Sequence, residues 1–268
     1  MHAVLAAAEG GLRERHGFPW TPPPFDAFAA AHRHILASER TFVAEADGEV
    51  VAFSAALVRD STWFLADLFV RPDVQAGGTG TRLLELAWGD GPDRRVTLAD
   101  AIQPVSNALY ARRGLVPTTP VLELGGRPHG GPTAELEAAE PTPDALAELD
   151  AAAYGFDRAP DHAFWAHGAA RSTVWTRRGE PVAYTYVSAR GRIGPLAGRD
   201  GAGAAAALRA ELGRADGDVS LDVPGSAREL VETALAAGLR ITGPPGLLLL
   251  SRDVAPPRAL AISGYWLF

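Results

Sequence analysis

Residues 65–88 read LADLFVRPDVQAGGTGTRLLELAW: a run of apolar residues, a five-residue connection from Arg71 to Gln75, the glycines Gly77, Gly78 and Gly80, and then apolar residues at helical spacing. The pattern predicts a strand over 62–70, ended by Arg71-Pro72 because proline cannot donate to a central ladder, and a helix over 79–88. The turn between them has the physics of an anion site. Glycine lets backbone N–H groups approach a ligand closely, and the positive end of the following helix favours phosphate there. A Gly-rich strand-to-helix connection is also a common tight turn, so the loop by itself leaves both readings open.

Working outward, TFVAEADGEVVAFSAALV (41–58) has two apolar runs flanking Asp47-Gly48, the strongest short hairpin signal, and predicts strands over 41–46 and 49–58. Residues 1–40 read as two helices separated by Gly17 to Pro24, where three consecutive prolines cannot continue a helix. Downstream come a strand over 96–99, a helix over 106–113 capped by Gly114, and a strand over 121–124. From Gly125 to Pro143 the chain is rich in Gly, Pro and acidic residues, which places a boundary between domains at 1–128 and 140–268. The second half starts the order again. VAEADGEVVAFS from Val43 aligns with VWTRRGEPVAYT from Val174 at an offset of 131, and Gly114-Leu115 matches Gly238-Leu239 at an offset of 124, which predicts an internal duplication.

Composition narrows the chemistry. The net charge of −7 argues against nucleic acid or an anionic membrane as partner. All 25 basic residues are Arg, which removes the Walker A lysine, the pyridoxal Schiff base and the serine-lysine acylases. Cys is absent, so there is no thiolate nucleophile, disulfide or cysteine zinc site, and a reducing cytoplasm is expected. The opening MHAVLAAAEGGLRERHG lacks a basic region before its short apolar stretch and carries Glu9 within it; neither export nor a membrane span is predicted.

The word order Leu68-Phe69-Val70-Arg71-Pro72, then Gln75-Ala76-Gly77-Gly78-Thr79-Gly80, resembles the Q/R-x-x-G-x-G/A acyl-CoA motif of the GNAT acetyltransferase superfamily, with Gln75, Gly78 and Gly80 on its defining positions. SNALYARRGLVP (106–117) looks like the second signature, with Asn107, Tyr110, Gly114 and Leu115 in place. The resemblance covers about 41–124, and reaches 142–250 only through the duplication. It implies an α/β (α+β) fold of two GNAT-like domains, each a mixed, mostly antiparallel sheet flanked by helices. The sheet would splay between the strands at 62–70 and 96–99, and acetyl-CoA would be the co-substrate, with no metal. Backbone groups of Leu68, Phe69 and Val70 would pair with the pantetheine arm. Gln75, Ala76, Gly77, Gly78, Thr79, Gly80 and Thr81 would hold the pyrophosphate, Asn107 would position the arm, and Tyr110 would protonate the departing thiolate. The implied activity is N-acetyl transfer to an amine, of a small molecule or a peptide, in a ternary complex; a homodimer is left open.

The base is less determined. Leu65-Ala66-Asp67-Leu68 resembles a leucine-glutamate-aspartate sequence of polyamine-type acetyltransferases, but Ala66 replaces the glutamate, and Asp67 is the remaining candidate. Strand alternation would point it away from Ala66 and Leu68. His32 and His34 read as surface residues, because an i, i+2 pair does not share a helix face. The Phe18-Pro19-Trp20 loop is a candidate wall of the acceptor pocket. In the second half the motif spacing is lost and Ala234 stands at the position of Tyr110, so that copy is read as degenerate. Two other classes compete. A Rossmann dehydrogenase would use Gly78-x-Gly80 with Asp100 as the ribose acid, although Leu83 stands where the third glycine belongs. A non-catalytic acyl-CoA sensor would keep the cradle without turnover.

Overall fold

Asp47 and Gly48 turn the first hairpin with φ of 52° and 79°, the paired left-handed geometry whose twist matches its flanking strands. In the computed structural model, which describes residues 1–37, 40–129 and 136–268, these strands are β1 (Arg40–Ala46) and β2 (Glu49–Arg59). Residues 130–135 of the expected linker lie outside the described residues. Helices α1 (His2–Arg15) and α2 (Phe25–Leu36) precede the hairpin. β3 (Thr62–Val70) follows antiparallel to β2; then come a single 3-10 turn at Pro72–Val74, α3 (Thr79–Trp88), β4 (Arg94–Asp100) and α4 (Pro104–Ala111).

Helices cover both faces of this sheet. The Phe53 ring meets His32 of α2 at 6.2 Å, whereas its neighbour Ser54 donates to the Leu83 carbonyl of α3 at 3.2 Å, and successive strand residues point to opposite faces. The carboxyl end of α3 is neutralised by arginine in a chain that has no lysine. Arg95 donates to the Trp88 carbonyl at 2.8 Å and stacks over the Trp88 ring at 4.2 Å, and Arg40 donates to the Asp90 carbonyl at 2.8 Å.

Two irregularities in β3 shape everything near it. Ala55 pairs with Asp67 but Ala56 pairs with Leu65, so Ala66 is the extra residue of a β-bulge. The bulge puts Leu65 and Asp67 on opposite faces, where unbroken alternation would give them the same one; Asp67 joins the α2 face. On its other edge β3 runs parallel to β4 only from Thr62/Arg94 to Leu65/Thr97. Beyond that pair the two strands separate.

The second half contains β5 (Val116–Gly126), β6 (Glu137–Ala139), α5 (Pro143–Ala153), α6 (Ala159–Gly168), β7 (Arg171–Arg177), β8 (Glu180–Val187), β9 (Ile193–Gly198), α7 (Gly201–Gly213), β10 (Val219–Pro224), α8 (Arg228–Ala236), β11 (Arg240–Ile241), β12 (Gly246–Leu250) and β13 (Leu260–Ala261). The duplication holds in detail. β7 and β8 begin 131 residues after β1 and β2, and the bulge between Ala44 and Glu45 recurs between Trp175 and Thr176. Gly114 and Gly238 end their helices with φ of 84° and 89°, and Leu115 and Leu239 each donate back at 3.1 Å, to Tyr110 and Ala234.

The chain forms two compact units whose division departs from the one read from composition. One comprises Met1–Val116 with Leu249–Val254, the other Pro117–Leu248 with Ala255–Phe268. Each unit thus takes a segment from the other half of the sequence. In the first, Ser251 donates from its N–H to the Arg95 carbonyl and accepts from the Arg95 N–H, both at 2.9 Å on the free side of β4. In the second, β5 runs antiparallel to β10 from Val121/Pro224 to Gly126/Val219.

The core of the second unit encloses an ionic network. Asp150 accepts from Arg158 and Tyr184 at Oδ1, at 2.9 and 2.6 Å, and from His162 at Oδ2, at 2.9 Å. Arg158 also donates to the Phe268 backbone oxygen at 2.8 Å, which anchors that end of the chain inside the fold. Burial opposes ionisation of Asp150, but Arg158 and His162 prevail and hold its carboxyl down at about 2. This contribution to stability is complete above the ordinary value of 3.8 and is lost as pH falls through about 2. Asp150→Ala leaves a buried guanidinium without its partner, so denaturant unfolding at pH 7 should show a loss of about 3–5 kcal/mol.

Candidate active site

The gap that opens after Leu65/Thr97 is braced where it begins, by Thr97 Oγ1 donating to the Leu65 carbonyl at 3.0 Å. Past it, Leu68, Phe69 and Val70 keep their pairing to β2 on one edge only. Asp67 lies at this opening, its side chain fully buried, and its Oδ1 has no hydrogen-bond partner. Its Oδ2 meets His32 Nε2 at 3.1 Å, and His32 Nδ1 donates to the Phe28 carbonyl at 2.9 Å. Burial raises the Asp67 carboxyl above the ordinary carboxylate range, and the bond and charge of His32 oppose the rise. Tyr110, on α4, is also buried; desolvation first and the Asp67 charge second lift its phenol above the usual range, so the proton stays on it. Asn107, one turn earlier, donates from Nδ2 to the Asp100 carbonyl at 3.0 Å, and its Oδ1 is buried without a partner. Asp67 and Tyr110 are thus both buried, and the Asp67 charge acts on the Tyr110 phenol.

The glycine loop leads from the end of β3 into α3. Ala76 and Gly78 take positive φ of 67° and 83°, and a Cβ on Gly78 would meet nothing within 4 Å. Among the described residues no side chain caps α3 and no acidic residue stands in its first turn, so its amino-terminal N–H groups stay available to an anion. Gly77, Gly78 and Thr79 line a groove of about 380 Å³ together with Ala44, Arg82 and Leu86. Gly80 is held to the strand, with room for a Cβ only 3.4 Å from Val70 Cγ2, and Thr81 follows it in the first turn of α3. Gln75 braces the loop, donating from Nε2 to the Val70 carbonyl at 2.9 Å.

The second unit shows what a closed version looks like. Asp200 caps α7 by accepting from the Gly203 N–H at 2.7 Å, and a Cβ on Gly201 would stand 2.7 Å from the Glu229 carboxylate. The chain's own carboxylates thus occupy the place of an anion, and buried Ala234 replaces the tyrosine.

His32 corrects the sequence reading. It is 2% exposed, because Phe28, Ala31, His32 and Ile35 form the sheet-facing stripe of α2. The signal was its i, i+4 spacing from Phe28, whose ring stacks on it at 3.7 Å. Arg82, whose sequence context gives no hint of a role, stands in the groove. The ribose-acid reading of Asp100 is also corrected: Arg13 donates to both of its oxygens at 2.8 Å and to Glu9 at 2.8 Å, so this carboxylate is engaged within the fold. Among the described residues no group of three or more His, Asp or Glu side chains is placed to hold a metal ion, and no helix is long and apolar enough to cross a membrane.

Residues 6–115 match the family model "Acetyltransferase (GNAT) family". No curated protein matches the chain. Among solved structures, a Pyrococcus horikoshii protein classed as an acetyltransferase is similar with a TM-score of 0.75 and 16% identity, over 99% of this chain and 90% of that one. A GCN5-related N-acetyltransferase from Sphaerobacter thermophilus gives 0.65 and 16%, over 96% and 93%. A tandem GNAT protein from the clavulanic acid biosynthesis pathway gives 0.54 and 14%, over 93% of each. At these identities the likeness carries the fold, and the tandem arrangement agrees with the duplication.

Burial and the adjacent Glu9 push Asp100 from its ordinary value of 3.8 up to about 7, with Arg13 opposing. Carbon-13 NMR of labelled aspartate should show a carboxyl titrating near 7 that Asp100→Asn removes. Because the folded value is raised, the associated stability is complete below 3.8 and falls away as pH rises through about 7.

Proposed function

We propose, from the match of residues 6–115 to the acetyltransferase (GNAT) family, that the protein transfers an acetyl group from acetyl-CoA to an amine, by direct attack in a ternary complex. The observation that carries the reading is the separation of β3 from β4 beyond Leu65/Thr97, between the uncapped start of α3 and the buried Tyr110. The residues present fit such a donor. Backbone groups of Leu68, Phe69 and Val70 that face away from β2 pair with the pantetheine arm as an added strand would, and one N–H polarises the thioester carbonyl. The loop from Gln75 to Thr81 receives the pyrophosphate on backbone N–H groups, with Arg82 supplying the nearby positive charge. Asn107 Oδ1 offers an acceptor to the arm.

Asp67 accepts the proton that the amine loses as its nitrogen forms the new bond to the acetyl carbon. As the carbon–sulfur bond breaks, Tyr110 gives its phenolic proton to the departing thiolate, a role suited to a phenol that burial keeps protonated. The acidic net charge supports a small-molecule or peptide amine as acceptor, with no nucleic acid or membrane as partner.

Isothermal titration tests the donor site. One acetyl-CoA should bind per chain, NAD should not bind, and Gly80→Asp should abolish binding by placing a carboxylate where the phosphates sit. Tyr110→Phe should keep binding but lower kcat by roughly 10²–10⁴-fold. Binding that survives Gly80→Asp would overturn the site.

A further inference from the structure

The three groups at the opening are not equivalent. Asp67 shows one oxygen to His32 and, among the described residues, keeps the other, Oδ1, buried and unpartnered. An unpaired buried carboxylate oxygen is costly, and it is left free to accept a proton or a hydrogen bond. His32 has a fixed orientation. Its Nδ1 must be the donor, since its partner there is the Phe28 carbonyl, and the stacked Phe28 ring holds the plane. To hold Asp67 as a carboxylate its Nε2 must donate as well, so both ring nitrogens act as donors, and the bulge at Ala66 is what turns Asp67 onto the α2 face to meet it.

Resting on the acetyl-transfer reading above, we propose that His32 is a positioning residue for the reaction: it locks Asp67 through Oδ2 so that Oδ1 alone faces the amine and takes its proton. The nitrogen lone pair thereby freed forms the bond to the acetyl carbon, and no other proton acceptor is needed. The titratable groups facing Asp67 are His32 from α2 and Tyr110 from α4.

The test is the pH dependence of acetyl-CoA-dependent acetylation of an amine found by screening. His32 lowers the Asp67 carboxyl against the effect of burial. His32→Phe should therefore move the acid limb of kcat/KM to higher pH, at least about tenfold below wild type at the acid end and converging with it at the alkaline end. His32→Gln keeps an N–H for Oδ2 and should restore most of the wild-type profile. A uniform loss at every pH in both variants, or an unmoved limb, would overturn the inference while leaving the acetyltransferase reading intact. Nitrogen-15 NMR of labelled histidine supplies a readout that needs no turnover. Nδ1 of His32 should carry a proton, and the Nε2 shift should respond to Asp67→Asn; a bare Nδ1, or an Nε2 insensitive to that change, would sink the proposal. If no amine is acetylated, the functional reading fails and the NMR result alone decides whether His32 holds Asp67.

Discussion

The interaction on which the first unit turns is a ladder that stops. Four paired positions tie β3 to β4, and after Leu65/Thr97 the backbone of β3 has a neighbour on one edge only. The loop into α3 starts at the far end of the unpaired stretch, and Asp67 sits just inside it. A fully paired sheet would have satisfied those backbone groups and left no reason for a helix to begin with bare N–H groups beside them. The bulge at Ala66 belongs to the same construction, since it rotates the one carboxylate of the segment away from α3 and towards α2.

Much of this is legible in residue order. Asp47-Gly48, Arg71-Pro72, Gly78-x-Gly80 and Gly114 each impose a backbone geometry by local sterics, so the elements they delimit fall within a few residues of where the chain pattern puts them. The register of the duplication is equally local. What escaped is non-local. A bulge at Ala66 depends on how β2 pairs, and no residue there announces it. His32 was misread because two histidines two apart suggested a surface, when the stripe through Phe28 and Ile35 was the stronger signal. The partition of the units lay beyond reach, because nothing in Leu249–Val254 says which half will hold it.

The two copies also show how the same pair of residue types can serve packing or chemistry. Each unit buries a histidine of its second helix against an aspartate and an aromatic ring, His32 with Asp67 and Phe53, His162 with Asp150 and Tyr184. In the second unit Arg158 and Tyr184 use the remaining lone pairs, and the charge is quenched. In the first an oxygen is left over. The contrast extends to the helix starts: α7 is neutralised by Asp200 and Glu229, whereas α3 is not.

The exchange of segments sets a limit on how this gene can shorten. In the second half buried Ala234 stands at the position of the tyrosine and carboxylates stand at the start of α7. Here deletion would strip Ser251 from Arg95 and expose the backbone of β4 as a raw sheet edge, the kind of surface on which chains aggregate. Leu249–Val254 thus ties part of the second half of the sequence to the fold of the first unit.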